Sequence, residues 1–572
     1  MKGEDKKFIL RMRVVFAAVI FVGFVLIANL FYIQISNGSR FRAQADGQYV
    51  VATYNSFERG SIFFEERDGS RITAAGQKSG YKLSVNPEEF TGDREELFNT
   101  VNDITPLDRD RFFDALDRKD RTYVEVLNHI SKEDGETIKE QVGSALQLHA
   151  EKWRVYPLSG AAAQVLGFIG YQGDEYAGRY GLERQYEDTL KREDVDLYTN
   201  FFARTFHNVQ NFVDPEKVPE GDVITTIDPQ IQLFFEQQLE SIQTDWRSES
   251  TGGVIINPHT GDIYAMGAFP RFDNNNFSDA SISTFKNPLV ENVYEMGSIM
   301  KPVIVSLAID SDSINPDTLE YYDTGSVDVG IATIKNFDGR GRGWVDTQEI
   351  LNQSLNTGMV YIASHIPKPT FRDYFDRFGM TTPTGIDLPN EARSLATNLS
   401  SNRDIEFANM SFGQGIAVSP ITMVRALSAL ANGGMTSTPH VVKKIEYTNG
   451  FSKTFDYTES GRQAISKETS EEISRMLVNV FDAYRDGQVK LPDYSIAAKT
   501  GTAQISNPAG GYYSDRNLHS FFGYFPAYDP QFLVFLYTVY PKGIKYASQT
   551  LIDPFKETTK YLVNYYNIPP DR

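Results

Sequence analysis

Residues 294–301 read YEMGSIMK, and the apolar run Val303–Ile309 follows them. This pattern predicts a buried helix with Ser298 in its first turn, where Pro302 is tolerated. Positions i and i+3 lie on one face of a helix, so the Lys301 amine is expected within reach of the Ser298 hydroxyl. A serine hydroxyl is a poor nucleophile until a neighbouring base takes its proton, and a neutral lysine can be that base. These eight residues therefore predict an activated serine.

Two further motifs follow along the chain, Ser354-Leu355-Asn356 and Lys499-Thr500-Gly501-Thr502. Alone, Ser-x-x-Lys and Ser-x-Asn are weak signals, because the same spacings recur at Ser79/Lys82, Ser283/Lys286, Ser313/Asn315 and Ser400/Asn402. The Lys-Thr-Gly motif occurs once. The order of the three motifs, rather than any single one, predicts a catalytic site built around Ser298.

The predicted proton chemistry depends on two lysines and a second serine. Burial and a second cation at Lys499 would lower the pKa of Lys301, as a base requires. Ser354 can relay a proton between Lys301 and the leaving amine. The backbone N–H groups of Ser298 and Thr502 are the expected donors of an oxyanion hole.

The remaining motif residues are predicted to bind substrate. Asn356 can hydrogen-bond to a substrate amide. Gly501 would let a ligand lie close against a strand, where a side chain would obstruct it. The carboxylate of the incoming substrate would be held by Lys499, Thr500 and Thr502.

Composition narrows the class of protein. The 572 residues suggest two or three folded units, and the hydrophobic fraction of 41% is that of a globular chain. The formal net charge of −19 argues against nucleic acid as a partner. The chain has no cysteine, which excludes thiolate chemistry, and its seven histidines show no metal-ligand spacing. We therefore expect neither a catalytic metal nor another cofactor.

Val14–Ile35 is predicted to be a single transmembrane helix. About twenty apolar residues in a helix span the hydrocarbon core of a bilayer. The basic residues before it are Lys2, Lys6, Lys7, Arg11 and Arg13. They should keep residues 1–13 in the cytoplasm and export the rest, so the catalytic domain would lie outside the cytoplasmic membrane. A buried core helix is the alternative interpretation.

The exported part falls into two regions. Residues 36–215 are polar and mixed, without a nucleophile–base arrangement, and are predicted to form a scaffold. Residues 221–566 contain strand-like and helical patterns, such as Val223–Ile227, Phe532–Val539 and Ile421–Asn432. Gly253–Ile256 and Ile263–Met266 flank a turn-rich loop and predict a hairpin. Strands at both ends with helices between them favour an α+β or α/β domain whose sheet pairs early with late strands.

The chain resembles the class B penicillin-binding proteins along most of its exported length. Residues 59–63 (RGSIF) with Arg67-Asp68-Gly69 look like the RGxIxDRNG element of that family, with two extra residues between the halves. Further resemblances lie at Tyr156-Pro157, Gly167, Gly181-Leu182-Glu183, Ser411–Gly415, Asn432–Gly434 and Ser520–Tyr524. The family precedes its nucleophile with a YEPGS-like sequence, which resembles Tyr294–Ser298 and leaves Ser283 as a loop residue.

The resemblance implies a serine D,D-transpeptidase that cross-links peptidoglycan stem peptides through an acyl-serine and is inhibited covalently by β-lactams. It implies an elongated, dimerisation-like pedestal over 36–215 and a transpeptidase domain, an antiparallel sheet with helices, over 221–566. The EDxxFxxH glycosyltransferase element of class A members is absent. We therefore expect a SEDS-family membrane glycosyltransferase as partner, with other division or elongation proteins. Size and single span resemble the septal type more than the elongation type, so the expected role is in cell division.

Two alternatives remain open on the sequence. A β-lactamase or penicillin sensor would share the fold and the acyl-serine chemistry, although neither needs a pedestal of this length. A β-lactamase of class A would also need a carboxylate, such as Glu391, to activate water. An inactive scaffold of the division or elongation machinery is the other alternative, but it would have no need for intact Ser298, Lys301, Ser354, Asn356 and Lys499.

Overall fold

The computed structural model describes residues 16, 20–23, 58–142, 146–173, 175–192 and 219–572. The predicted cytoplasmic segment 1–13 and most of the predicted span 14–35 lie outside these residues. Among the described helices, none is both long and apolar enough to cross a membrane. The described chain divides into two compact units, a smaller one built from 79–153 and a larger one built from 59–78, 154–191 and 219–572. The described part of the predicted pedestal thus contributes to both units.

The strands, numbered along the described chain, are β1 (Ile62–Glu65), β2 (Arg71–Val85), β3 (Val124–Ile130), β4 (Leu146–Val155), β5 (Ile169–Gln172), β6 (Glu175–Gly178), β7 (Gly221–Thr225), β8 (Ser250–Ile256), β9 (Ile263–Phe269), β10 (Glu320–Asp323), β11 (Ser326–Val329), β12 (Ala332–Lys335), β13 (Gly343–Asp346), β14 (Val442–Tyr447), β15 (Ser452–Thr454), β16 (Ala497–Ser506), β17 (Tyr512–Phe525) and β18 (Phe532–Val539). The helices are α1 (Arg94–Ile104), α2 (Arg109–Asp117), α3 (Lys132–Val142), α4 (Ala163–Leu166), α5 (Gly181–Gln185), α6 (Glu187–Leu190), α7 (Pro229–Asp245), α8 (Pro288–Glu291), α9 (Lys301–Asp310), α10 (Thr347–Asn352), α11 (Asn356–Ser364), α12 (Lys368–Arg377), α13 (Asp404–Met410), α14 (Pro420–Ala431), α15 (Lys467–Ala483) and α16 (Ile552–Tyr566).

The smaller unit packs α1, α2 and α3 against the antiparallel pairing of β3 with the end of β2. Its core includes Leu83 and Val85 from the strand with Phe112 and Ile138 from the helices. The pair Ser79/Lys82 lies on β2. In a strand, positions i and i+3 point to opposite faces, so this copy of the Ser-x-x-Lys spacing cannot form a nucleophile–base pair.

The larger unit is organised around an antiparallel sheet of order β16-β17-β18-β8-β9. The predicted hairpin is present as β8 and β9, and the late strand β18 pairs with the early strand β8. The pairing of early with late strands is therefore confirmed. A second sheet of this unit joins β15, β14, β7, β1 and the first part of β2, with β1 parallel to β7.

Both faces of the antiparallel sheet are covered by helices. Val254 and Ile256 of β8 belong to a core that includes α9 and α14, whereas Ile255, between them, packs in a separate core with α7 and α16. Side chains alternate between the two faces of a strand, so this division follows from the backbone. Every residue of β18 is buried, which explains why its sequence is a continuous apolar run rather than an alternating one.

A buried ion cluster fixes the early segments of the larger unit. Glu183, with no exposed surface, accepts hydrogen bonds from Arg59 Nε at 2.6 Å and Arg154 Nε at 2.7 Å. Tyr156 donates to the same carboxylate at 3.2 Å. Burial alone would raise the pKa of Glu183, but the positive charges of Arg154 and Arg59 outweigh it and lower that pKa. The carboxylate is therefore charged in the folded protein.

Glu183→Gln is expected to lower the free energy of unfolding by roughly 3–5 kcal/mol, because it removes the buried carboxylate that Arg154 and Arg59 share and leaves Arg59 only its ion pair with Glu187. The matched control is Glu446→Gln, which removes the ion pairs of Glu446 with Arg71 and Lys444. These three side chains are each about a third exposed, so the change should cost about 1 kcal/mol or less. Urea unfolding of both variants measures the difference. Equal urea midpoints for the two variants would contradict the stabilising role assigned to Glu183.

Candidate active site

Ser298 lies in a 3-10 turn, Gly297–Met300, that leads directly into α9. The predicted helix therefore begins one turn later than expected, at Lys301. Gly297 has a φ of +63°, and a Cβ atom there would lie 2.9 Å from the Thr502 carbonyl oxygen. Only glycine fits this left-handed, closely packed position. Ser298 itself is half-buried, whereas Lys301 has no exposed surface.

The Lys301 amine is surrounded by the second motif. Its Nζ lies 2.6 Å from the Ser354 carbonyl oxygen, 3.2 Å from Ser354 Oγ and 2.9 Å from Asn356 Oδ1. Burial, and then the positive charge of Lys499, hold the pKa of Lys301 well below its ordinary value. The predicted lowering of this pKa is confirmed in direction and cause.

The neutral form of Lys301 suits these contacts. A neutral amine has two N–H donors and one lone pair. The Ser354 carbonyl and Asn356 Oδ1 can only accept, so they take both N–H groups. The lone pair is then left for a hydroxyl, and Ser354 Oγ at 3.2 Å is one that can donate to it. The surroundings thus leave Lys301 able to accept a proton.

Ser354 connects the two buried lysines. Lys499, 1% exposed, directs its Nζ to Ser354 Oγ at 3.1 Å and to the Thr500 carbonyl at 3.1 Å. Burial lowers the pKa of Lys499 to about 7. Ser354 has a φ of +52°, a left-handed conformation that is costly for a residue with a side chain. In this strained loop between α10 and α11, its carbonyl and its hydroxyl both face Lys301. The sequence predicted Ser354 as a site residue but not this backbone conformation.

Asn356 begins α11 and has both ends of its amide engaged. Its Oδ1 accepts from Lys301, and its Nδ2 donates to the Lys335 carbonyl at 3.0 Å. The next residue, Thr357, donates through its hydroxyl to buried Asp323 at 2.7 Å. The same carboxylate accepts from Asn336 Nδ2 at 2.9 Å. Asp323 and Asn336 therefore hold the start of α11, and sequence reasoning missed both, because neither lies in a recognisable motif.

The third motif lies on β16, an edge strand of the antiparallel sheet. The Thr500 N–H donates to Tyr484 Oη at 2.9 Å. Backbone groups two residues apart on a strand point to the same side, so the Thr502 peptide faces the same open edge. The Thr502 carbonyl borders Gly297 there. The Thr502 peptide therefore lies on the edge of β16 that faces the turn carrying Ser298, and the oxyanion hole stays a prediction.

A side chain at Gly501 would clash with the protein itself. A Cβ atom at Gly501 would lie 2.2 Å from Ser520 Oγ and 2.8 Å from the Met296 carbonyl. The direction that a side chain would take is therefore filled by the protein. Its role is to let β16 pack against the turn that carries Ser298.

Most of the predicted site residues line one cavity of about 1300 Å³. Its walls include Ser298, Ser354, Asn356, Lys499, Thr500 and Thr502. Lys301 lies behind this wall, fully buried. The competing Ser283 is exposed in a separate turn, where its hydroxyl bonds to that of Ser281, and it does not line the cavity.

Acylation by penicillin is expected to show a bell-shaped dependence on pH. As the pH falls, Lys301 gains a proton and can no longer act as a base. As the pH rises through about 7, Lys499 of the protein without bound substrate loses the proton, and with it the charge that attracts a carboxylate. Lys499→Arg stays protonated, so it should flatten the alkaline limb and keep the acidic one. Acylation rate constants measured from about pH 5 to about pH 10 test this. An unchanged alkaline limb in the arginine variant would refute the role of Lys499.

Family models and curated relatives both match penicillin-binding proteins. The model of the penicillin-binding protein transpeptidase domain matches residues 251–557, and that of the penicillin-binding protein dimerisation domain matches residues 56–195. Stage V sporulation protein D of Bacillus subtilis is 27% identical over 92% of this chain and 81% of its own length. The probable peptidoglycan D,D-transpeptidase PenA of Neisseria meningitidis is 24% identical over 97% of this chain and 92% of its own.

Solved structures show the same fold. Penicillin binding protein 2X from Streptococcus thermophilus superposes with a TM-score of 0.69 at 21% identity, covering 89% of this chain and 80% of the other. Penicillin binding protein 3 from Mycobacterium tuberculosis, complexed with aztreonam, superposes with a TM-score of 0.67 at 21% identity, covering 90% of this chain and 98% of the other.

Proposed function

The chain belongs to the penicillin-binding protein transpeptidase family, and on that premise we propose that Ser298 is the nucleophile with which it acts. The protein is a serine peptidoglycan D,D-transpeptidase of cell-wall synthesis. The observation that carries the residue assignment is that Ser298 shares one cavity wall with Ser354, whose hydroxyl lies beside the two buried amines of Lys301 and Lys499.

Acylation is the first half of the proposed reaction. Ser298 Oγ attacks the carbonyl carbon of the penultimate D-alanine while Lys301 takes its proton. The N–H groups of Ser298 and Thr502 stabilise the oxyanion that forms. When the peptide C–N bond breaks, the proton passes from Lys301 through Ser354 Oγ to the departing D-alanine nitrogen. Lys499 holds the terminal carboxylate of the substrate, with the hydroxyls of Thr500 and Thr502.

Transfer to a second stem peptide completes the reaction. Its amine attacks the ester carbonyl, and Lys301 accepts the proton that the new amide must lose. The ester C–O bond breaks, and Ser298 Oγ recovers a proton from the same lysine. With a β-lactam, the opened ring stays attached to the acyl group, so the leaving amine cannot diffuse away and the ester persists.

Hydrolysis of β-lactams is the competing function, and the structure gives it little support. Glu391 accepts hydrogen bonds from the backbone N–H groups of Thr384 and Gly385, at 2.5 and 3.0 Å, and does not line the cavity. Its carboxylate is engaged in holding a loop rather than available to activate water.

Fluorescent penicillin distinguishes the functions. We expect one label per chain that persists after unbound penicillin is removed, and transfer of a stem-peptide acyl group to an added amine acceptor. Rapid loss of the label with turnover of free penicillin would show a β-lactamase. Absence of any label on the folded chain would show an inactive scaffold.

The cellular setting is part of the same proposal. A membrane anchor over 14–35 would place the catalytic domain outside the cytoplasmic membrane, beside its stem-peptide substrates. Lack of a glycosyltransferase element supports a SEDS-family glycosyltransferase as partner, within the division machinery. Depletion in the host should then block septum formation while elongation continues. Rounded cells that still divide would instead indicate an elongation role.

A further inference from the structure

The walls of the catalytic cavity are basic in an acidic protein. The chain has 56 lysine and arginine residues against 75 aspartate and glutamate residues. The charged residues described on the cavity walls reverse this balance, with Asp515 as the carboxylate and with Lys335, Arg485, Lys499, Lys542 and Lys545 as the cations. A local excess of cations against a net charge of −19 attracts anions to this surface.

Two of these cations, Lys499 and Arg485, have interactions that account for their charge. Lys499 belongs to the catalytic centre described above. Arg485 makes a bidentate ion pair with Asp553, at 2.9 and 3.1 Å, and donates to the Ser548 carbonyl at 3.0 Å. The charge of Lys499 is therefore assigned to the terminal carboxylate of the substrate, and the charge of Arg485 is neutralised within the protein.

The other three, Lys335, Lys542 and Lys545, form what we call the rim lysines. All three are exposed. Within the part of the chain that the structure describes, none has a carboxylate within 4 Å of its amine. Elsewhere on this surface lysines commonly pair with carboxylates, as Lys443 does with Glu65 and Lys490 with Asp482. Lys542 and Lys545 place their amines over the rings of Tyr540 and Tyr546, at 3.0 and 5.3 Å from the ring centroids. These rings carry no charge, so the three like charges around the cavity still repel each other and attract an anion.

The backbone near two rim lysines is tied to catalytic groups. The Lys335 carbonyl accepts from Asn356 Nδ2 at 3.0 Å. On the other segment, the Lys545 carbonyl lies 3.0 Å from His519 Nε2, and the Ala547 N–H donates to Thr502 Oγ1 at 3.2 Å. These bonds fix both segments relative to the reacting centre.

The two segments also meet each other. The rings of Phe337 and Tyr546, one from each segment and both on the cavity wall, pack edge to face with centroids 5.6 Å apart. Lys335 and Lys545 are therefore brought to neighbouring parts of the cavity mouth by segments that contact the catalytic residues on either side.

We propose that the rim lysines bind a second carboxylate of the substrate, in addition to the terminal one held by Lys499. This inference rests on the proposed function and names its substrate class. The favoured substrates are stem peptides that carry a free carboxylate beyond that of the terminal D-alanine. Lysine amines are mobile point charges, so they accept such a group without demanding one fixed geometry.

Two penicillins that differ by one carboxylate provide the test. Carbenicillin is benzylpenicillin with an added carboxylate on its side chain, and both carry the ring carboxylate that Lys499 would hold. The measured quantity is the ratio of their second-order acylation rate constants. In Lys335→Gln/Lys542→Gln/Lys545→Gln, we expect the ratio of carbenicillin to benzylpenicillin to fall about 10-fold. Added salt should lower the ratio in the native chain and leave it almost unchanged in the variant.

The matched control changes net charge equally at lysines away from the cavity, as Lys453→Gln/Lys467→Gln/Lys560→Gln. It should keep the native ratio, as should the arginine version of the rim variant, which keeps three cations. An unchanged ratio in the rim glutamine variant, or an equal fall in the control, overturns the proposal. So does an equal loss of both rates in a folded rim variant. Failure of benzylpenicillin to acylate the native chain would instead refute the proposed function.

Discussion

Replacing Ser298 by alanine is expected to abolish covalent labelling of the chain by penicillin, because the acyl group then has no oxygen to join. The loss should be complete rather than partial, in contrast to the loss of a residue that only assists. Ser298→Ala removes one half-buried hydroxyl from the cavity wall, so the variant should fold. Thermal unfolding checks that it does.

Two other serines make the experiment specific. Ser283→Ala is the matched control, since Ser283 has the same Ser-x-x-Lys spacing but is exposed away from the cavity, and its variant should label as the native chain does. Ser354 is the serine of the cavity wall that already has both lysines beside it. Persistent labelling of Ser298→Ala would show that another serine, such as Ser354, is the nucleophile and would overturn the assignment of Ser298.

Lys301→Arg is expected to slow acylation by about 10²–10⁴-fold. Guanidinium stays protonated, so it offers no lone pair to the Ser298 hydroxyl, and it puts a permanent second charge beside Lys499. Lys499→Arg is the comparison variant. It keeps a cation that can hold a carboxylate, so it should mainly weaken substrate capture and cost less.

Lys301 has no exposed surface, so the larger arginine side chain could disturb the fold. Lys301→Met is a neutral, unbranched replacement slightly shorter than lysine and without its nitrogen, and it should lose rate to a similar extent. Stopped-flow acylation by penicillin measures all three variants. Near-native rates in both Lys301 variants, together with an inactive Lys499→Arg, would show that the two lysines have been given the wrong roles.

Regular elements were predictable where the local pattern was strong. Phe532–Val539 forms β18 with the predicted bounds, because an apolar run of this length suits a strand buried on both faces. The helix predicted at Ile421–Asn432 is α14, Pro420–Ala431, displaced by one residue at each end. Ser298 and Lys301 are one turn apart as predicted, since the Lys301 N–H donates to the Ser298 carbonyl across a 3-10 turn; the contact of their side chains stays a prediction.

The parts that escaped prediction depend on contacts between distant segments. The left-handed conformation of Ser354 is set by its place between α10 and α11 and has no signal in the residue itself. The reason for Gly501 lies in Ser520 and Met296, which the fold brings to it from other elements. The rim lysines likewise form a group only once the segments carrying Phe337 and Tyr546 meet. Sequence patterns report local geometry, and none of these features is local.

The central claim is that Ser298, activated by a neutral Lys301, is the residue that becomes acylated. Peptide mapping by mass spectrometry after treatment of the native chain with benzylpenicillin tests it most directly. The account predicts one penicilloyl group per chain, carried by the peptide that contains Ser298 and located on that residue by fragmentation. A penicilloyl group on Ser283, on Ser354 or on any other residue, or an unmodified chain, would contradict it.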